Sequence, residues 1–267
     1  MKSKVRIVVT ILLGSLAAAS CAGAEFISPN CDQLPGHAAL KAALSAARRA
    51  SNGGFNLDMW GTVVNRDGIV CAVAFTGPDR GSQWPGSRVI SAQKANTANA
   101  FSLPALALSS ANLWAPTQPG GSLFGLQASN PVNTETAYQG PSAEYGTEQD
   151  PMIGKKPGGV NVFGGGLALY NKDHLLVGAL GVSGDTSCAD HNIAWRTRNA
   201  LHLDYVPAGV SGDAARPDNI NYSGREPVPS LANDFSHPVC TIAGADQVTA
   251  ISAKLPAVPP RAPGNKK

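Results

Sequence analysis

The sequence predicts a mixed α/β (α+β) chain, a single domain built on an antiparallel sheet with helices laid against it. Three observations carry this expectation. Apolar residues recur at helical spacing over residues 36–52. β-rich runs come in pairs joined by short turns. Helical stretches stand outside those pairs instead of between single strands. Strands that turn straight back pair antiparallel, and helices then cover the sheet. A doubly wound nucleotide fold, which alternates strand and helix, is disfavoured.

Gly36 to Asn52 places Leu40, Ala43, Leu44 and Ala47 on one helix face, with Lys41, Arg48 and Arg49 on the wet side. Asn52-Gly53-Gly54 ends it, because glycine accepts the left-handed turn beyond a helix. Met59–Asn65 and Ile69–Phe75 flank Arg66-Asp67-Gly68, a strong hairpin signal. After the loop Gly77–Gly86, Ser87 opens a helix to about Phe101, with Ile90, Lys94, Thr97, Ala98 and Phe101 sharing a face. Ser102 and Pro104 suit the start of a short third helix, Leu103–Trp114. Residues 115–158 have no periodicity but hold Leu123, Phe124, Leu126, Tyr138 and Tyr145, and read as a long ordered wrap. Gly159–Phe163 and Leu167–Tyr170 read as strands around Gly164-Gly165-Gly166, followed by a turn and the strand His174–Val182. The last helix, Ser187–Leu203, has Asp190 in its first turn, where negative charge suits the dipole. Residues 206–267 read as a loop-rich extension, with Pro256–Lys267 a mobile tail.

Lys2, Lys4 and Arg6 precede the apolar run Val5–Ala19, which is too short to span a bilayer. Ala22-Gly23-Ala24 offers a small-x-small cleavage motif before Glu25. The pattern is that of a leader over residues 1–24 and of a periplasmic or secreted protein. Lipid attachment at Cys21 is the competing reading, but Ala18-Ala19-Ser20 lacks the usual leucine. No later segment is apolar and long enough for a transmembrane span. The leader's three cations account for the whole formal charge of +3. The rest is neutral, which argues against nucleic acid, whose binding needs a basic footprint. Cys31, Cys71, Cys188 and Cys240 are an even set in an oxidising compartment and predict two disulfides, in any of three pairings. No Cys-x-x-Cys occurs to suggest a zinc or redox site.

The triple glycine lacks the Lys-Ser/Thr of a phosphate loop, and reads as a place where another backbone or a flat ligand comes close. Gly181-Val182-Ser183-Gly184-Asp185 is not a nucleophile elbow, since the fifth position holds Asp185. Ser183 and Gly184 nevertheless lead into a helix start, which suits a ligand carboxylate; ordinary capping by Ser183, Asp185, Thr186 or Ser187 is the alternative. Among five histidines, His191 beside Asp190 is the candidate metal or haem-iron ligand, against a plain surface or capping role. Arg88 and Lys94 could answer acidic groups, although a lysine on this face can also snorkel to solvent. No nucleophile–base set follows from spacing.

Several runs resemble one known family. They are helix Ala38–Ala50, Val63-Val64-Asn65-Arg66-Asp67-Gly68, Ala92-Gln93-Lys94-Ala95-Asn96-Thr97-Ala98 with Phe101, strand Gly164–Leu169, and Val177-Gly178-Ala179-Leu180-Gly181-Val182-Ser183-Gly184 followed by Asp190. Together they are similar to the GlcG/HbpS-like haem-binding or haem-degrading proteins, over roughly residues 38–203. The resemblance implies a profilin-like sheet, homo-oligomers and a haem or tetrapyrrole ligand. Matched position and local chemistry nominate Lys94, Thr97, Ser183, Asp190 and His191. The leading expectation is an exported protein that binds haem, or a similar flat carboxylate-bearing ligand, for uptake, storage or sensing. A small enzyme acting on a tetrapyrrole or organic acid, and a ligand-free oligomeric module, are the alternatives. The ligand reading requires the turn at position 184 and the Lys94 helix to border one hollow.

Overall fold

The computed structural model describes residues 30–223, 235–240 and 245–260. The expected leader and residues 261–267 lie outside them. In chain order the elements are helix α1 (His37–Arg49), strands β1 (Trp60–Asn65) and β2 (Val70–Phe75), helix α2 (Ser87–Phe101), short helices α3 (Leu126–Ser129) and α4 (Thr134–Tyr138), strands β3 (Gly166–Tyr170) and β4 (Leu176–Ser183), helix α5 (Ser187–Ala200), strands β5 (Asn221–Ser223) and β6 (Ser236–Pro238), and helix α6 (Ala245–Ser252). The main sheet runs β2-β1-β4-β3, antiparallel throughout. A small parallel pair, β5–β6, lies apart from it.

The sheet is covered on both faces, so β4 is buried along its whole length. Val63, Leu180 and Val182 join Leu40 and Leu44 of α1 and Trp195 of α5 in one core cluster. Trp60, Val64 and Ala179 meet Ala92, Ala95 and Ala98 of α2 in another. Period-2 alternation along β1 and β4 thus sends neighbouring side chains into two different cores. α2 rests on the sheet through alanines and Ser91, whose hydroxyl bonds Thr62 Oγ1 at 2.7 Å. Ile90 and Phe101, on the face expected to be apolar, are only partly buried. Small residues let the helix approach closely. A Cβ at Gly181 would stand 1.9 Å from the Ser91 carbonyl.

Three local expectations are corrected. Leu103–Trp114 is not a helix: Leu103 and Leu106 close a tight turn, and only Ser110–Leu113 makes a 3-10 turn. Ser109 caps that turn in a reciprocal box with Asn112. Gly159–Phe163 is not a strand, because its backbone and side-chain bonds go to Asn130, Thr97, Gln127 and Asn161 instead of a neighbouring ladder. Pro256–Pro260 does not read as a tail: Trp195 Nε1 donates to the Pro256 carbonyl at 2.9 Å, and Val258 is buried in the main core. The two disulfides are Cys31–Cys71 and Cys188–Cys240. The first ties the chain before α1 to β2, and the second ties the start of α5 to the segment after β6. No helix among the described residues is long and apolar enough to cross a membrane.

Candidate functional site

The turn after β4 and the first half of α2 border one hollow, of about 150 Å³. The turn is fixed from both ends. Gly184 packs on the Asp58 carbonyl, where a Cβ would sit 2.3 Å away. The Asp185 carboxylate accepts the Phe55 and Leu57 N–H groups at 2.9 and 3.0 Å. Thr186 then caps α5, its hydroxyl accepting from Ala189 N–H. The floor of the hollow holds Lys94, Asp190, Ser183 and Ser187, and its rim carries Trp84 and Phe163, both about half exposed.

Lys94 does not snorkel. It is 1% exposed and donates to Asp190 Oδ2 at 2.7 Å and to the Val182 carbonyl at 3.0 Å. Asp190 Oδ1 accepts the Asp185 N–H at 2.8 Å. Burial pushes the Asp190 carboxyl up to about 6, against the pull of Lys94. Burial likewise lowers the Lys94 ammonium, against the pull of Asp190. Desolvation disfavours both charged forms, and their mutual attraction offsets only part of it. Two of the ammonium's three N–H donors are therefore already used.

Of the sequence-nominated residues, Lys94, Ser183 and Asp190 come together on this hollow, with Gly184 immediately behind it. Thr97 does not: its hydroxyl donates to the Gln93 carbonyl at 2.7 Å and accepts Asn161 N–H at 2.9 Å. Arg88 lines another cavity. Its guanidinium pairs in two places with the buried Asp150, donates to the Ala137 carbonyl, and stacks on Tyr145 at 3.7 Å. His191 is fully buried and borders neither cavity. Its ring nitrogens have no hydrogen-bond partner among the described residues; Asn219 lies alongside but outside bonding geometry. Burial first, then Arg198, drives its pKa down to about 3, so the ring is neutral. The triple glycine serves backbone packing: Cβ atoms at Gly164, Gly165 and Gly166 would meet the carbonyls of Ser187, Val182 and Lys94 at 2.3–2.4 Å.

The second cavity, about 480 Å³, opens between the 79–89 segment and residues 138–145 of the wrap. Trp60, Val89, Tyr138 and Tyr145 wall it, with the exposed Arg80 at its edge. It is the larger and more aromatic of the two. Its wrap-side residues have no counterpart in the sequence nomination, because nothing in an aperiodic loop says which helix it will lie against. Spacing along the sequence does not single out His237 either. Its Nε2 lies 2.8 Å from the Ser187 hydroxyl. The signal for that pair was present: Cys188 and Cys240 stand next to Ser187 and near His237, so their bond draws the two together.

Residues 34–198 match the family model of the haem-degrading, HbpS-like proteins. The chain belongs to that family. No curated protein matches this HbpS-like chain. Among solved structures it is similar to a PduOC–haem complex, at 22% identity over 62% of this chain and 91% of that one, with a TM-score of 0.43. It is also similar to protein ORFY of Klebsiella pneumoniae, at 23% identity over 62% and 88%, with a TM-score of 0.41.

Proposed function

We propose that this protein binds haem, or a similar flat tetrapyrrole acid, in the 480 Å³ cleft and not in the hollow beside Asp190. The carrying observation is size with wall chemistry. Pockets that enclose a ligand of this class run from about 300 to 1,000 Å³ and are mostly apolar. The cleft falls within that range. The 150 Å³ hollow falls below it and has a charged floor. Trp60, Val89 and the two tyrosines supply apolar and aromatic surface for a macrocycle, and Arg80 a cation for a propionate. Arg88 acts from behind, holding the Tyr145 ring in place. Tyr138 is the phenol available to iron, since the Tyr145 hydroxyl donates to the Tyr138 and Gln139 carbonyls. Bound haem would supply redox chemistry at iron, and the Tyr138 phenol is the group that would hold it there. Family membership supports the ligand class.

Export belongs to this reading. Two disulfides suit an oxidising compartment, and the leader-like N-terminus supplies the route. Roles in uptake, storage or sensing all require the same binding step, and self-association would be read by light scattering. The test is titration of the purified protein with haemin, following the Soret band. A saturable shift at a stoichiometric ratio is expected, weakened in Tyr138→Phe and Arg80→Ala. No shift at that ratio ends the proposal, and a shift untouched by both variants removes the cleft from it.

A further inference from the structure

Ser187 and His237 form a hydrogen-bonded pair that family membership leaves unassigned, since the matched region stops at residue 198. His237 is almost fully buried, and its Nδ1 lies 2.7 Å from the Pro238 carbonyl. A carbonyl can only accept, so Nδ1 carries the proton and Nε2 of the neutral ring presents its lone pair. The bond between Nε2 and the serine therefore runs from Ser187 O–H to nitrogen. The serine oxygen also accepts the Gly164 N–H at 2.6 Å. That donor stabilises negative charge on the oxygen as its proton leaves. Ser187 is only partly buried, lines the 150 Å³ hollow, and opens the 14-residue helix α5, whose dipole favours an anion at that end. Lys94 shares the same floor. Nucleophile, base and a group fixing the base's tautomer are thus assembled at the positive end of a helix dipole.

We propose that the 150 Å³ hollow is an acyl-transfer site for short carboxylic esters, with Ser187 as nucleophile and His237 as general base. The hollow holds the equivalent of about five waters, taking roughly 30 Å³ for each. It therefore takes an acetyl-sized acyl group, while Trp84 and Phe163 offer aromatic surface to an apolar leaving group outside. Ser187 Oγ bonds to the acyl carbon as its proton passes to His237 Nε2. The ester C–O bond then breaks, and the departing alcohol takes that proton. Water, giving its proton to the same nitrogen, attacks the acyl-serine; the acyl–Oγ bond breaks and Ser187 recovers the proton. Ester and water become acid and alcohol, with no change of oxidation state.

Burial lowers the His237 pKa to about 4, with Lys94 acting in the same direction and the bond to Pro238 opposing. Lys94 and His191 are the titratable groups coupled to it, and it stays neutral at ordinary pH, so the base form is present well into the acid range. The test uses the full-length, haem-free protein, treated with the acetyl-sized methanesulfonyl fluoride and mapped by peptide mass, with p-nitrophenyl acetate turnover measured in parallel. One sulfonyl group on Ser187 is expected, with turnover falling roughly 100-fold or more in Ser187→Ala and His237→Gln. A fully recovered Ser187 peptide without label overturns the proposal in the wild-type protein alone, so a poorly folding variant leaves it testable. Label elsewhere, or turnover unchanged in a folded Ser187→Ala protein, overturns it equally.

Discussion

Lys94→Met tests how the two charges under the hollow hold each other. Asp190 titrates near 6 with Lys94 beside it, against about 3.9 in an unfolded chain. At about 1.4 kcal/mol per unit, ionised Asp190 already costs the fold about 3 kcal/mol above pH 7, as an upper figure. For a raised carboxyl pKa the sign is fixed: the group's contribution is fully present below about 3.9 and is lost as pH rises through about 6. Removing Lys94 takes away the largest influence opposing desolvation, so the carboxyl moves higher and the loss extends to higher pH. Breaking one partner of a buried pair costs about 3–5 kcal/mol when the other stays charged. Because Asp190 can take up a proton instead of staying charged, the variant should lose about 2 kcal/mol more at pH 7.5 than at pH 5, about 1.4 kcal/mol for each unit between pH 6 and 7.5. Urea unfolding at the two pH values gives the difference. Adding Asp190→Asn should restore most of the loss, since an amide can still accept the Asp185 N–H and can donate to the freed Val182 carbonyl. Equal losses at both pH values, or a loss under about 1 kcal/mol at pH 7.5, would refute the account.

Two further outcomes follow from the same packing. His191 and His237 are held neutral, near 3 and 4 against about 6.5 unfolded, so their contribution is present above 6.5 and lost as pH falls toward those values; urea midpoints from pH 7 to pH 4 should drop steeply, and flat midpoints would contradict neutral burial. Gly181→Ala pushes a methyl to within 1.9 Å of the Ser91 carbonyl, lifting α2 off β4 at a cost of about 3 kcal/mol or more, read as a fall in melting temperature or soluble yield.

The sheet was legible because its signals are local. Arg66-Asp67-Gly68 turns the chain, so the runs on either side pair with each other. α1 was legible because Leu40, Ala43, Leu44 and Ala47 bury one clean stripe. α2 was legible as a helix, but its orientation was not. Its sheet-facing side is Ser91, Ala92, Ala95 and Ala98, and a hydrophobicity pattern gives such small residues little weight. Close approach decided the matter, and the glycines of β4 that permit it look in sequence like room for a ligand. Lys94 shows the same limit: its burial follows from Asp190 lying within 2.7 Å, across 96 positions of chain. The Leu103–Trp114 expectation failed because Ser102 spends its hydroxyl on Leu108, closing a loop instead of capping a helix.

The hollow is lined from within the matched region, but residues beyond 198 brace its walls and bring the base to it. Leu255 and Val258 enter the main core, Pro256 accepts the Trp195 indole N–H, and Asp218 neutralises the fully buried Arg198 of α5 through two bonds of 2.6 and 2.9 Å. Arg198 also donates to the Ala168 carbonyl of β3, so the extension steadies both α5 and the sheet edge next to it. Cys240 fastens the same extension to the first turn of α5, and β6 then carries His237 to the Ser187 hydroxyl. A serine at a helix start is ordinarily a cap or a solvated side chain. Here the cap is Thr186, one residue earlier, which frees the Ser187 hydroxyl to face a base delivered from outside the family's shared fold.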